Sequence, residues 1–228
     1  MKILWLFLAV PMLVVGCAPA IQVRVFSPGV QISVAHVPDV TGVVQVVWSS
    51  PSTDMSPMNG SGTVVAKRGP WSYIVTCRHV IRPLTLFGLT AIKEVVRADG
   101  EIAEIVVEDK EHDLALIRTK LPRPAKVYGL AETEIGRSVW SVGWVRLGLE
   151  NEVLAPSVIH VQRGYVTMHT DRHICHNAGA GPGFSGGPVL NERAEVVGII
   201  RAISGPAGGI LGYAVRAKFV GDLLKVVN

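Results

Sequence analysis

The sequence predicts an all-β protein made of two β units closed by a short C-terminal helix. Three observations carry this. From Val43 onward the chain is cut into short runs rich in Val and Ile, each bounded by Gly, Pro, Asp or Ser, the pattern of many short strands in a sandwich or barrel. Its Gly 24 and Pro 14 are dispersed between those runs rather than clustered. Only the end of the chain changes period: Phe219, Val220, Leu223, Leu224 and Val227 fall on one face of a helix. With 49% hydrophobic residues, no internal repeat and no low-complexity run, the chain has ample material for a core and no signature of disorder.

Residues 1–17 read as an export signal rather than as part of the fold. Met1-Lys2 supplies a positive charge, and Ile3 to Val15 is apolar apart from Pro11. That run is shorter than the ~20 residues a spanning helix needs and suits a signal h-region. It ends in Val14-Val15-Gly16-Cys17, which resembles a bacterial lipobox. On that reading Cys17 is acylated and anchors the chain to a membrane surface without spanning it; an ordinary secretory signal cleaved near Ala18 or Ala20 is the alternative. Either way the protein is exported to the cell envelope or beyond. Residues 18–42, with Pro28, Gly29 and Pro38, read as a tether or edge strand.

The expected strands are Val43–Trp48, Gly62–Ala66, Tyr73–Cys77, Ile102–Val107 and Leu114–Ile117 in a first unit over 43–122. A linker at 123–128, opened by Arg123-Pro124-Ala125, leads to the second unit over 129–228. There the expected strands are Val139–Val142, Val158–Val161, Val196–Ile200 and Leu211–Val215, followed by the helix. A net charge of +4 is too small and too scattered for a nucleic-acid interface, and the stretch Arg118, Lys120, Arg123, Lys126 reads as a solvated loop. Cys77, inside an apolar run, reads as a buried free thiol; whether it pairs with Cys175 stays open, and two cysteines make no disulfide framework.

Gly183-Phe184-Ser185-Gly186-Gly187-Pro188 is the segment richest in chemical meaning. A nucleophilic serine needs its hydroxyl exposed on a tight turn, with backbone N–H groups aimed at a developing oxyanion, and flanking glycines permit both. Alone the stretch is any glycine-rich turn. It gains weight from Thr76-Cys77-Arg78-His79-Val80, which places a histidine just past a strand, and from Glu111-His112-Asp113-Leu114, which places an aspartate just before one. The chain order His, Asp, Ser is one of the orders known for this constellation.

With these stretches together, the sequence resembles the trypsin-like serine proteases of the chymotrypsin fold, and above all the bacterial HtrA-type protease domain. The likeness runs from about Val44 to Lys225. It rests on Gly60-Ser61-Gly62-Thr63-Val64, Ile74 to Val80, Asp113-Leu114-Ala115-Leu116, Gly183 to Pro188, Glu195 to Ile199, and Gly208 to Val215, in that order. It implies two antiparallel six-stranded β-barrels with the active site between them. It also implies Ser185 as nucleophile, His79 as general base and then acid, and Asp113 as the group that orients the imidazole. The backbone N–H groups of Gly183 and Ser185 would form the oxyanion hole. The substrate pocket would be walled by Gly179, Ala180 and Gly181, by Ala202 and Ile203, and by Gly212 and Tyr213. None of these is acidic, so a small or medium apolar residue before the cleaved bond is expected. Arg201 is the charged neighbour that could reach into that pocket or across its mouth. The resemblance implies a polypeptide substrate, no metal and no organic cofactor; it does not fix an oligomeric state.

Three departures from the family pattern matter. Phe184 stands where the trypsin subgroup has an aspartate that pairs with a cleaved N-terminus, so activation by N-terminal insertion is not expected. Cys77-Arg78 replaces two polar amides usual before the histidine in HtrA-type domains. The chain also reaches Asn228 soon after the helix, so no C-terminal PDZ domain is expected.

Other candidates read as structural. His112 should face away from the site served by Asp113, as strand neighbours do, and it, His36 and His160 read as surface histidines. His169, Asp171, His173, Cys175 and His176 invite a metal-site reading. On one strand their spacing of ~7 Å cannot close around an ion; as a helix, His169, His173 and His176 would align. The rival functions are a catalytically silent fold relative acting as an envelope binding module, and an esterase using the same triad.

Overall fold

In a computed structural model, residues 37–50, 56–83, 94–146, 157–204 and 211–227 are described. The first sheet comprises β1 (Val43–Ser49), β2 (Met58–Arg68), β3 (Trp71–Cys77), β4 (Val95–Ala98), β5 (Glu101–Ile102), β6 (Glu104–Asp109) and β7 (Leu114–Thr119), with the four-residue helix α1 (Arg78–Ile81) after β3. Its strand order is β5-β4-β1-β2-β3-β7-β6. The two end strands are consecutive in the chain, separated by Ala103 alone, whose N–H donates to the Val96 carbonyl. Residues 101–109 therefore act as one bent strand that pairs with β4 at its start and β7 along its length. The first sheet is a curved, seven-stranded half-barrel, beside the closed barrel of the second unit.

Tight turns set its register. Gly69-Pro70 joins β2 to β3 with Gly69 at φ +55°, the two-residue hairpin form with glycine first. Asp99-Gly100 joins β4 to β5 with φ +48° and +85°, the form in which both central residues are left-handed.

The second unit is a closed barrel of β8 (Ser138–Arg146), β9 (Ser157–His169), β10 (His173–His176), β11 (Pro188–Leu190), β12 (Val196–Ser204) and β13 (Leu211–Arg216), in the order β10-β13-β12-β11-β8-β9. Helix α2 (Ala217–Leu224) follows and ends in a 3₁₀ turn at Lys225–Val227. It buries Ala217, Val220 and Leu223. One apolar cluster joins Trp48, Ile74, Leu114 and Leu116 of the first sheet to Val142, Leu190 and Ile199 of the barrel and to Val220 of α2. A smaller cluster, with Ile174, Phe184, Val189 and Ala214, fills the barrel itself. The packing is thus continuous across the junction between the units, as the hydrophobic effect favours when neither half buries all its apolar surface alone.

The expected linker at 123–128 contains no strand, and residues 120–137 hold only an isolated bridge at Leu130. Tyr128 is 1% exposed, its N–H donates to the Val64 carbonyl and its hydroxyl to the Asp39 carbonyl. The basic residues at 118–126, expected as a solvated loop, are corrected at their start: Arg118 lies in β7 and pairs with Glu104, while Arg123 beyond the strand pairs with Asp99. Of residues 18–42 only 37–42 are described, and these form no strand. The export signal, Cys17 and His36 lie outside the described residues. Among the described residues no helix is long and apolar enough to cross a membrane.

Candidate active site

Cys77, the last residue of β3, is the register partner of Leu114, the first of β7. That pairing alone brings the residues just past one strand beside those just before the other. His79, in α1, and Asp113, in the turn before β7, are therefore neighbours by construction. The Asp113 carbonyl accepts from the Arg78 N–H at 2.8 Å, its Oδ1 accepts from the His79 N–H at 2.9 Å, and its Oδ2 lies 2.6 Å from His79 Nδ1. The carboxylate thus holds the histidine at both backbone and ring, which leaves Nε2 as the free ring nitrogen. Asp113 itself adopts φ +58°, a left-handed conformation that costs most side-chain-bearing residues but that aspartate and asparagine tolerate better. Burial works against its charged form. The hydrogen bonds from His79, ring and backbone, together with the Arg201 guanidinium, outweigh that effect and hold the carboxyl below its ordinary value.

Ser185 sits on the second of two consecutive turns. Phe184 N–H donates to the Gly181 carbonyl at 3.0 Å, with Pro182 and Gly183 (φ +94°) at the corners. Gly187 N–H then donates to the Phe184 carbonyl at 2.8 Å, with Ser185 and Gly186 (φ +90°) at the corners. Both follow the type II pattern, in which the third residue must be left-handed and is best glycine. A Cβ at Gly183 would clash with the Trp144 carbonyl, and one at Gly186 with the Ser61 carbonyl. Gly186 N–H donates to the Ile200 carbonyl and Ile200 N–H to the Gly187 carbonyl, both at 2.8 Å, so the second turn is stitched to β12. Among the described residues, neither the Gly183 nor the Ser185 N–H donates a hydrogen bond.

The first sheet clamps this loop through a residue to which sequence reasoning assigned no role. Ser61 N–H donates to the Ser185 carbonyl at 2.8 Å, and Ser61 Oγ donates to the Gly183 carbonyl at 2.7 Å while accepting from Trp144 N–H at 2.8 Å. Thr63 Oγ1 adds a bond to the Gly186 carbonyl at 3.0 Å. Gly60-Ser61-Gly62-Thr63 was visible as a motif, but motif and loop lie over a hundred residues apart in the chain, so only the fold displays what the serine does. Phe184, in the position noted for its missing aspartate, is 3% exposed and packs over Gly143.

Arg201, the charged neighbour of the expected pocket residues, reaches Asp113: its Nε donates to Asp113 Oδ2 at 3.1 Å, and its carbonyl accepts from Ser185 Oγ at 3.3 Å. Ser185 and Asp113 thus both contact Arg201, and among the described residues the serine hydroxyl does not donate to the His79 ring in this state. Such contacts are often long in unliganded sites and tighten with substrate.

The expected pocket residues converge on three paired strands. Ala202 pairs with Tyr213 and Ile203 with Gly212 across β12 and β13, while Tyr213 and Gly212 pair with Cys175 and His176 of β10. Gly179 (φ +71°) and Ala180 follow β10 in the loop leading to Ser185. Beneath Gly212 lies His176, one of the histidines that invited a metal-site reading: its ring is wholly buried, packs where a Cβ on Gly212 would stand, and has no hydrogen-bond partner for either nitrogen among the described residues.

The remaining candidates separate cleanly from this group. His112 is not on a strand and is not a surface residue: it bonds Asp109 through Nδ1 at 2.6 Å and stacks on Phe219 at 3.7 Å, with 13% of its side chain exposed. His160 is exposed, with its ring edge near Phe184. Residues 169–176 form neither one strand nor a helix but the end of β9, a turn, and β10. Cys77 and Cys175 are both free and buried. Among the described residues, the metal-ligand types that gather are Cys77, His79 and Asp113, with ligand atoms within 4.8 Å of one another. Those atoms are committed to hydrogen bonds: the Cys77 thiol donates to the Ile200 carbonyl, and burial pushes it well up, against the thiolate a metal would need.

Residues 60–199 match the family profile described as the trypsin-like peptidase domain. The chain is 31% identical over 172 residues to a probable periplasmic serine endoprotease DegP-like of Rhizobium meliloti (strain 1021), covering 72% of this chain and 32% of that protein. It is 29% identical over 176 residues to Protease Do-like 1, chloroplastic, of Arabidopsis thaliana, covering 73% and 38%. The chain therefore spans about a third of the length of these relatives. Among solved structures it resembles the serine endoprotease from Yersinia pestis, with TM-score 0.62 at 22% identity over 82% of this chain and 63% of that one. It also resembles the HtrA-type protease AlgW with tripeptide, with TM-score 0.63 at 21% identity over 82% and 60%. At that identity the structural likenesses speak for the fold.

Proposed function

The chain belongs to the trypsin-like peptidase family, and on that premise we propose that it is a serine endopeptidase working through an acyl-enzyme on Ser185. The observation that carries the reading is the pair of hydrogen bonds by which Asp113 holds both backbone and ring of His79, beside a serine on a glycine turn where the Gly183 and Ser185 N–H groups donate to no acceptor among the described residues.

Ser185 Oγ attacks the carbonyl carbon of the scissile bond and gives its proton to His79 Nε2. His79 Nδ1 keeps its proton and donates it in a hydrogen bond to the Asp113 carboxylate, which stabilises the imidazolium. The carbonyl oxygen, now negative, is received by the Gly183 and Ser185 N–H groups. His79 then protonates the leaving amine, and a water, deprotonated by the same histidine, hydrolyses the ester and returns Ser185. Losing one oxyanion donor typically costs ~10²–10³ in rate, which makes the Gly183 turn nearly as important as the serine.

The absence of an acidic side chain among Gly179, Ala180, Ala202, Ile203, Gly212 and Tyr213 supports a small or medium apolar residue before the scissile bond. The leader and the name of the Rhizobium meliloti relative, a periplasmic endoprotease, support export; Cys17 is the proposed lipid anchor and a polypeptide the proposed substrate.

A fluorophosphonate probe tests the reading, since it labels only an activated serine. The purified chain is expected to label, Ser185→Ala not to label, and casein to be cleaved by the first only. A folded wild-type chain that does not label would instead support a silent binding module. Labelling with ester but no peptide hydrolysis would support an esterase.

A further inference from the structure

The guanidinium of Arg201 enters the catalytic group from the opposite half of the molecule. Its backbone is fixed by β12, where Ile200 is stitched to Gly186 and Gly187. Its carbonyl receives the Ser185 hydroxyl at 3.3 Å. Its side chain then crosses to the turn before β7 and donates Nε–H to Asp113 Oδ2 at 3.1 Å, the same oxygen that His79 Nδ1 approaches at 2.6 Å. We propose that Arg201 is a positioning residue, which fixes the Asp113 carboxylate so that Oδ2 faces the His79 ring. The inference rests on the roles assigned above to Ser185, His79 and Asp113.

The need for such a residue follows from Asp113 itself. The aspartate stands in a short turn in the left-handed region, a conformation that local backbone preference does not enforce. Its Oδ1 is held by the His79 N–H and its Oδ2 by the His79 ring, but that ring turns on its own side-chain bonds and is the very group to be oriented. A donor to Oδ2 from outside the histidine gives the carboxylate an anchor that does not turn with the ring. Arginine suits this task because Nε–H and the terminal N–H groups form a rigid planar fork, so its direction is set once its stem is packed. Placing the donor on the barrel also couples the two halves. The residue whose carbonyl holds the resting serine is the one whose side chain holds the aspartate, so a displacement of β12 moves both.

Arg201→Gln removes the charge and Nε–H geometry, and Arg201→Lys keeps the charge with a single-point donor. The readouts are the rate of fluorophosphonate labelling by the full chain and the low-field NMR proton on His79 Nδ1, assigned by its absence in His79→Gln. Labelling is expected to fall about 10–100-fold in Arg201→Gln, the scale of a displaced catalytic group, with partial recovery in Arg201→Lys. The proton is expected to be sharp in the parent and broadened into exchange in Arg201→Gln. Recording it also in the Ser185→Ala background, where no chemistry is possible, separates this inference from the proposed activity. A parent that fails to label would overturn the activity; a low-field proton unchanged by Arg201→Gln in either background would overturn the positioning role. A drop in labelling with an unchanged proton would also overturn it, because the arginine would then be acting on the probe.

Discussion

Ser61 contributes no proposed chemistry, yet three of the bonds that hold the serine loop pass through it. Replacing it with alanine removes the donor to the Gly183 carbonyl and the acceptor for Trp144 N–H, while the backbone bond to the Ser185 carbonyl survives. Two part-buried backbone groups lose their partners, which costs on the order of 1 kcal/mol or more. Because one of them belongs to the residue whose N–H is proposed to stabilise the oxyanion, Ser61→Ala should lower fluorophosphonate labelling about tenfold or more in a protein that still unfolds cooperatively. Wild-type labelling in this variant would show that the loop holds its shape without the clamp. Residues of this kind separate what a sequence shows from what it conceals. His79, Asp113 and Ser185 could be picked out because each is marked locally, by a strand end or by a glycine turn. The contact of Ser61 with Gly183, and that of Arg201 with Asp113, join positions far apart in the chain, and no local pattern announces them.

At the scale of elements, the long strands were legible because their Val and Ile runs exceed what a turn can hold. Val95–Ala98, His173–His176 and Pro188–Leu190 were not, being too short for any period to register. One signal was present and passed over: Asp99-Gly100 is the turn pair that most strongly marks a hairpin, and it joins β4 to β5. The glycines of turns also differ in kind, and this yields a paired test. Gly136 and Gly186 both have positive φ, +84° and +90°. A Cβ at Gly136 meets nothing within 4 Å, whereas one at Gly186 runs into the Ser61 carbonyl and Thr76 Oγ1. Gly136→Ala should therefore cost only the backbone term, roughly 1–2 kcal/mol, and leave labelling intact. Gly186→Ala adds a steric clash against backbone and should abolish labelling even where thermal melting shows a folded remnant. Equal effects of the two substitutions on labelling would refute the distinction.

Across the whole molecule, His176 should dominate the response to mild acid. It is wholly buried in the barrel with neither nitrogen paired among the described residues, and burial pushes it down to about 4 from the ordinary 6.5. The folded protein therefore keeps this ring neutral at a pH where the unfolded chain binds a proton. The stability it allows is fully present above pH 6.5 and is lost progressively as the pH falls toward 4, about 2 kcal/mol of it by pH 5. His173 is also held low, by burial first and then by the Arg201 charge, and adds in the same direction. The lowered carboxyls of Asp39, Asp109 and Asp113 act in a different window, since their contribution is kept until the pH falls below their ordinary value of 3.8. The two effects are separable by substitution. His176→Leu removes a buried unpaired polar ring in favour of an apolar side chain, so it should be at least as stable as the parent at pH 7. It should also lose most of the slope of melting temperature between pH 6.5 and 4, keeping the collapse below 3.8. Parallel melting curves for parent and variant across pH 4–6.5 would mean that the ring is solvated or partnered in solution, and that the acid sensitivity of the barrel arises elsewhere.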